Sequence, residues 1–257
     1  MASEYFIFVP AYNVAKTLVD VLLKIPSSVW AKANVLVLDD GSADGTRGTF
    51  EKFSAKLDEE RKSRLSYMRY ERNRGYGTVV KRGIAAGLDS GAKYIACLHG
   101  DGQYPAEKLD EFFALLETAH NQPAGALPEG GMLALVQGSR RLIPGGAKAG
   151  NMPFHKRLGG AFLTALENLA FKQKLTDRHS GFIVYNAEFL KTLNLEKLSA
   201  SFDIDLEIIS IADARGFKMA ELPIPTRYAG EKSNLNVVTY GLRVLRQTWR
   251  RLIKASA

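Results

Sequence analysis

A single cysteine, Cys97, is present among 257 residues, so an internal disulfide is excluded, and no Cys/His cluster has structural-zinc spacing. A reducing, cytoplasmic setting fits that usage. Long hydrophobic runs are missing too. No apolar stretch approaches the roughly 18–20 residues needed to cross a bilayer, so any membrane contact is expected to be peripheral, at the cytoplasmic face. The opening residues, MASEYFIFVPAYN, hold no basic segment and reach a polar turn too early for a secretory signal. The composition also lacks the signature of disorder: 46% hydrophobic and 24% charged residues lie near globular averages. Internal repeats are absent, as is any linker poor enough in apolar residues to mark a boundary between globular domains.

What is there suits one large α/β domain with a C-terminal extension. The formal charge of +8 favours an anionic partner without naming it. The excess is concentrated after Thr226, where Arg227, Lys232, Arg243, Arg246, Arg250, Arg251 and Lys254 face Glu231 as the only acid. Nucleic acid is not the expected partner, because no motif combines stacking aromatics with these bases.

Short apolar runs alternate with segments of helical periodicity, the pattern of βαβ units around a mostly parallel sheet. The runs predict strands at Tyr5–Val9, Val35–Leu38, Leu65–Tyr70, Tyr94–Leu98, Leu133–Gln137, Phe182–Tyr185 and Lys218–Leu222. Helices are predicted near Thr46–Arg61, Gly77–Leu88, Ala106–Ala119, Phe162–Leu175 and Ile204–Ala214. The Gly-rich stretch Leu142–Pro153 reads as a loop. Residues 1–235 are expected to form the main domain. The remaining 236–257 carry a basic amphipathic helix, Val237–Ile253, with Leu242, Leu245, Trp249, Leu252 and Ile253 on one face. Such a helix suits a membrane interface, and equally a helix packed on its own domain.

In open parallel sheets, ligands bind beyond the carboxyl ends of the strands. Polar, glycine-containing clusters follow five of the predicted strands at that end: Pro10–Asn13, Asp39–Thr46, Asn73–Gly77, His99–Gln103 and Gly138–Arg140. Any one of them is what an ordinary turn uses; five on one edge indicate a site. Asp39 or Asp40 can accept from a base N–H or a ribose hydroxyl. Asn73–Gly77 lets backbone approach a ligand and opens a helix whose first amides favour an anion. Asp101 is the best candidate to ligate Mg²⁺ or Mn²⁺, which take carboxylates together with substrate phosphates, and Gln103 adds a carbonyl oxygen. An ordinary helix N-terminal role for Asp101 is the alternative.

Taken in order, V-P-A-Y-N, D-D-G-S-A-D-G-T, N-R-G-Y-G-T and H-G-D-G-Q-Y-P resemble the family-two glycosyltransferases of the GT-A fold. The likeness is strongest to the branch around dolichyl-phosphate mannose synthase and its bacterial polyprenyl-phosphate relatives. It continues through G-S-R, G-G-A-K-A-G-N-M-P, L-T-A-L-E-N, S-G-F, F-D-I-D-L-E and E-L-P-I-P-T-R-Y, and so covers most of residues 5–233. The resemblance implies a single Rossmann-like domain that transfers sugar from a UDP- or GDP-type donor, with a divalent metal. It implies a donor-binding set of Pro10, Tyr12, Asn13, Asp39, Asp40, Ser42, Gly75, Gly77, Arg140, Arg227 and Lys232, with Ser233 beside the last. Asp101 and Gln103 would hold the metal. The chain departs from the pattern at His99, where the first aspartate of the usual acidic triplet stands. Imidazole binds Mn²⁺ but is a poor Mg²⁺ ligand, so His99 is a candidate metal ligand, a sugar contact, or a mark of lost activity.

The acceptor is the second question. A hydroxyl acceptor needs a general base, and the glutamate–aspartate pair that supplies it in many relatives is not evident. Asp205 matches the family position best among Asp177, Asp203, Asp205 and Glu207, and is the catalytic candidate beside Asp101. Asp203 and Glu207 are equally readable as a solvated helix face. A phosphate acceptor is already a nucleophile and needs no base, which favours a polyprenyl phosphate. A soluble transferase with a saccharide or small-molecule acceptor is the alternative, and an inactive nucleotide-sugar binding module the third.

Overall fold

The computed structural model describes residues 3–120, 132–144, 154–225 and Trp249. Seven strands form one sheet in the order β3-β2-β1-β4-β6-β5-β7: β1 Tyr5–Ala11, β2 Ala33–Asp39, β3 Leu65–Arg69, β4 Tyr94–Cys97, β5 Leu133–Ser139, β6 Ile183–Asn186 and β7 Lys218–Pro223. β1 pairs in parallel with both β2 and β4, β2 with β3, and β5 with β7. β6 runs antiparallel to its neighbours β4 and β5. The sheet is therefore mixed and mostly parallel, as expected.

Successive side chains of a strand point to opposite faces, and here both faces are covered, which is why the strands read as unbroken apolar runs. From β1, Tyr5, Ile7 and Val9 join Leu22, Trp30 and Phe112 on one side. Phe6 and Phe8 join Val80, Ile84 and Ile208 on the other. The second layer includes the Tyr76–Asp89 and Ile204–Ala214 helices, both close to their predicted bounds.

Two expectations are corrected. The segment predicted as one helix from Thr46 to Arg61 is two, Thr46–Ser54 and Glu59–Arg64, because the Asp58 carboxylate accepts from Arg61 N at 2.8 Å and caps a new start. The helix predicted at Phe162–Leu175 spans Phe154–Ala170. It stops where Asp213 receives the amides of Lys172 and Gln173, and Asn168 that of Leu175. In the sheet, β6 lies between β4 and β5. An apolar run of four residues specifies a strand but not its direction.

Residues 145–153 of the Gly-rich stretch, Arg227, Lys232, Ser233 and the 235/236 division lie outside the described residues. Of the predicted C-terminal helix, Trp249 is described, and it is helical and exposed. No helix among the described residues is long and apolar enough to cross a membrane.

Phe8 lies against the Tyr76–Asp89 helix at Gly83, where a Cβ would sit 2.3 Å from the ring. Gly83→Ala is expected to destabilise by about 1–3 kcal/mol through overpacking, although alanine is intrinsically the better helix former by up to ~1 kcal/mol. Urea denaturation checks this, and an unchanged or raised midpoint contradicts the packing described.

Candidate active site

The carboxyl ends of β1, β2, β4, β5 and β7 share one edge, and the antiparallel β6 starts there. At the end of β2 two buried carboxylates organise the surrounding loops. Asp39, fully buried, accepts from Ser42 N at 2.8 Å and from the Tyr67 hydroxyl, with Arg69 Nε 3.5 Å away. Burial, reinforced by Asp39, pushes the Tyr67 phenol above its ordinary range. Asp40 accepts from Arg74 N at 2.7 Å and Gly75 N at 3.0 Å. Burial raises the Asp40 carboxyl, while those two amides oppose the shift.

The loop after β1 is laced to the loop after β2. Asn13, the one described non-glycine residue with positive φ (55°), accepts from Ala43 N at 2.9 Å and donates its own N–H to Ser42 Oγ at 2.8 Å. Val14 N donates to Thr46 Oγ1, and Ala15 N to Asp44. Thr17 Oγ1 donates to Gly100 O at 2.7 Å, tying the same loop to the end of β4. Tyr12 leaves this lacework 40% exposed, a surface on which a nucleobase can stack beside Pro10.

At the end of β4, Asp101 is half-buried and its Oδ1 accepts from Gln103 N at 3.0 Å. His99 Nε2 lies 3.0 Å from Tyr76 Oη, and that hydroxyl also donates to Asp205 Oδ2 at 2.9 Å. The Tyr76 ring stacks on Phe202 at 5.3 Å between centroids, and the His99 ring meets Tyr104 edge-on at 4.9 Å. Tyr104 accepts from Gly181 N at 2.8 Å. Burial lowers the His99 imidazole below its ordinary value, against an opposing pull from Asp101.

Several candidates have partners within the protein. Arg140 is clamped by Asp177 in a two-pronged ion pair, at 2.6 Å from Nε and 2.9 Å from Nη2. Burial alone would raise the Asp177 carboxyl, but the Arg140 guanidinium outweighs it and holds the group below the usual range. Gly75 and Gly77 make room for protein backbone: added Cβ atoms would lie 2.9 Å from Ala200 O and 2.5 Å from Ser199 O, respectively. The amides of Arg74 and Gly75, just before the helix that starts at Tyr76, point to Asp40. Asp203 accepts from Ser199 Oγ and Glu207 from Ser199 N, so these acids brace the 199–201 loop rather than forming a solvated face.

Residue choice in the sequence passed over Tyr76, although it stands in the N-R-G-Y-G-T motif, as well as Thr17, Asp44, Thr46 and Tyr104. A hydroxyl-bearing aromatic between two glycines at a helix start was the available signal for Tyr76. The partner loops were not visible, because they lie far off in the chain.

Asp205 is 8% exposed and its Oδ1 has no hydrogen-bond partner. Desolvation pushes this carboxyl up to about 7, against the neighbouring hydroxyls of Tyr76 and Tyr185. An acid whose folded value exceeds its unfolded one stabilises the fold fully below the unfolded value, near 4, and loses that contribution as pH rises towards 7. Thermal denaturation from pH 4 to 8 should therefore show wild type losing stability relative to Asp205→Asn as pH rises, with the difference levelling off above about 7. Parallel profiles would show that Asp205 is not buried as described.

Comparisons with known proteins converge on one identity. The family described as glycosyl transferase family 2 matches residues 6–193. The chain is 27% identical over 231 residues to a dolichyl-phosphate beta-glucosyltransferase of Trichomonas vaginalis, covering 87% of this chain and 64% of that protein. It is 26% identical over 220 residues to the undecaprenyl-phosphate mannosyltransferase of Micrococcus luteus, covering 84% and 80%. Among solved structures, glucosyl-3-phosphoglycerate synthase of Mycobacterium tuberculosis, crystallised with Mn²⁺ and uridine diphosphate, superposes with a TM-score of 0.64 at 14% identity, covering 97% of this chain and 80% of that one. A match across most of the chain, on a sheet whose loops gather at one carboxyl edge, makes this protein a member of glycosyl transferase family 2, a glycosyltransferase of the GT-A fold.

Proposed function

We propose that this protein is an inverting, metal-dependent glycosyltransferase that moves a sugar from a nucleoside-diphosphate sugar to a polyprenyl phosphate. The observation that carries the choice of acceptor is the commitment of the nearby acids. Asp177 is paired with Arg140, Asp203 and Glu207 brace the 199–201 loop, and Asp205 is bonded to Tyr76 beneath the surface. Deprotonating a hydroxyl acceptor needs a base within reach. A phosphate monoester arrives ionised and needs none. The dolichyl-phosphate and undecaprenyl-phosphate relatives support the same acceptor class.

On the donor side, Pro10 and exposed Tyr12 take the base, while Asn13, Ser42, Asp39 and Asp40 fix the two loops around it. Arg227 and Lys232 are assigned to the diphosphate because of their charge and their place in the family motif, Arg for its forked donors. Asp101 with Gln103 and His99 forms the donor set for the cation. One carboxylate, one amide carbonyl and one imidazole fit Mn²⁺ better than Mg²⁺. Asp101 Oδ1 already holds the turn at Gln103, which fixes the carboxylate for its second oxygen to bind. When bound, the metal supplies Lewis-acid stabilisation of the departing diphosphate. Arg140 is locked by Asp177 at the end of β5, so this pair adds no net charge against an anionic acceptor. With a cytoplasmic donor, the enzyme works at the cytoplasmic face of the membrane, in peripheral contact with the lipid.

A thermal-shift panel of UDP- and GDP-sugars with Mn²⁺ identifies the donor: a ligand at a hundred times its dissociation constant should stabilise by about 2.7 kcal/mol. Transfer of labelled sugar from that donor into an organic-extractable polyprenyl-phosphate product is then expected. Asp101→Asn should lower kcat/KM on the order of 100-fold, since Lewis-acid assistance is worth several kcal/mol. Transfer to saccharides but not to lipid phosphate would favour the soluble, hydroxyl-directed alternative. Donor binding without transfer or donor hydrolysis would favour the inactive module.

A further inference from the structure

The His99, Tyr76 and Asp205 side chains form one hydrogen-bonded line from the end of β4 to the start of the Ile204–Ala214 helix. Its direction follows from counting protons. Tyr76 Oη carries one hydrogen, which it donates to Asp205 Oδ2 at 2.9 Å. The phenol oxygen is then left to accept, and its other partner, 3.0 Å away, is His99 Nε2. That nitrogen must hold the imidazole proton. In a neutral ring the lone pair then resides on Nδ1, which makes no hydrogen bond among the described residues.

Packing holds the ring in that pose. Tyr76 lies 5.3 Å and Tyr104 4.9 Å from it, centroid to centroid. At Gly181 an added Cβ would come within 2.8 Å of Nε2 and 3.0 Å of Cε1, so the backbone there leaves space for the imidazole and for no side chain of its own. The half-buried Tyr76 and the buried Asp205 thus act on one histidine.

We propose that Tyr76 and Asp205 are positioning residues that fix His99 as its Nε2–H tautomer, so that its Nδ1 lone pair joins Asp101 in holding the divalent cation and tunes the site towards Mn²⁺ over Mg²⁺. This rests on the metal-dependent reading of the Asp101 site. It gives Asp205 work within the enzyme other than deprotonating an acceptor. A ligating histidine whose second nitrogen donates to an oriented partner is a recurrent arrangement, and removing the partner weakens metal binding by roughly 10–100-fold.

The test uses the full-length protein at pH 8. Imidazole nitrogen NMR on the histidine-labelled chain, with the His99 signals assigned by their loss in His99→Gln, reads the tautomer directly. The Nε2–H form is expected in wild type and a mixture in Tyr76→Phe. Manganese affinity of the nucleoside-diphosphate complex, measured by electron paramagnetic resonance and by Mg²⁺ competition, should fall about 10-fold or more in Tyr76→Phe with Mg²⁺ affinity little changed. His99→Asp should shift the Mn²⁺/Mg²⁺ ratio towards Mg²⁺ and leaves Tyr76 in place should Tyr76→Phe fold poorly. An Nδ1–H tautomer in wild type, or an unchanged cation ratio in His99→Asp, overturns the proposal while leaving the glycosyltransferase reading intact. If no divalent cation strengthens nucleoside-diphosphate binding to wild type, the metal-dependent reading fails, and this inference with it.

Discussion

The working edge of this protein depends on buried carboxylates accepting hydrogen bonds from backbone amides. Burying an ionised carboxylate is unfavourable unless its oxygens are satisfied, and Asp39 and Asp40 meet that demand from outside their own strand. Ser42 N, Arg74 N and Gly75 N supply amides, and Tyr67 a hydroxyl. Charge-assisted bonds of this kind are stronger than neutral ones. They draw the loops after β2 and β3 against each other, and Gly41 allows the crossing, since a Cβ there would lie 2.7 Å from Arg72 C. Asn13, Ser42 and Thr46 extend the same network to the loop after β1. The loops at this edge are therefore set before any ligand arrives, which reduces the ordering that binding would otherwise have to impose.

The antiparallel strand β6 has a comparable effect on the other half of the edge. By entering between β4 and β5 it brings Ser180–Phe182 next to the end of β4. Gly181 thereby reaches both His99 and Tyr104, and Gln137 of β5 donates to Ser180 O. The segment just before it is pinned by β7, where Glu221 receives the amides of Thr176 and Asp177. Asp177 is thus held where it can grip Arg140. A topology with β4 beside β5 would separate these groups, so the strand that breaks the parallel pattern is also the one that assembles this side of the site.

Much of this was readable in the chain, and the rest was hidden for identifiable reasons. Apolar runs of strand length marked all seven strands, and the polar clusters after them marked the edge, because side-chain periodicity and turn chemistry are local properties. Pairing is not local. Asp39 and Asp40 read as ligand contacts, and the letters alone do not show that each also accepts from backbone amides, for Asp40 one lying 34 residues away. Arg140 stands in the donor-binding set that the resemblance implies, while its partner Asp177 lies 37 positions on. The break after Ser54 was missed because helical periodicity continues across it, and the cap at Asp58 is a single side-chain bond.

Charge accounting around the edge links these strands of evidence. A site for a diphosphate and a second phosphate gathers negative charge, and carboxylates placed there must be neutralised or kept few. The acids near this edge are largely spoken for: Asp39 and Asp40 by amides and hydroxyl, Asp177 by Arg140, and Asp205 by Tyr76 under a desolvation that favours its neutral form. Asp101 remains half-buried at the end of β4. A histidine in place of a further acid at position 99 removes another negative charge from the same turn. An edge arranged in this way has little with which to deprotonate a hydroxyl and little that repels a phosphate, which is the electrostatic setting an anionic acceptor requires.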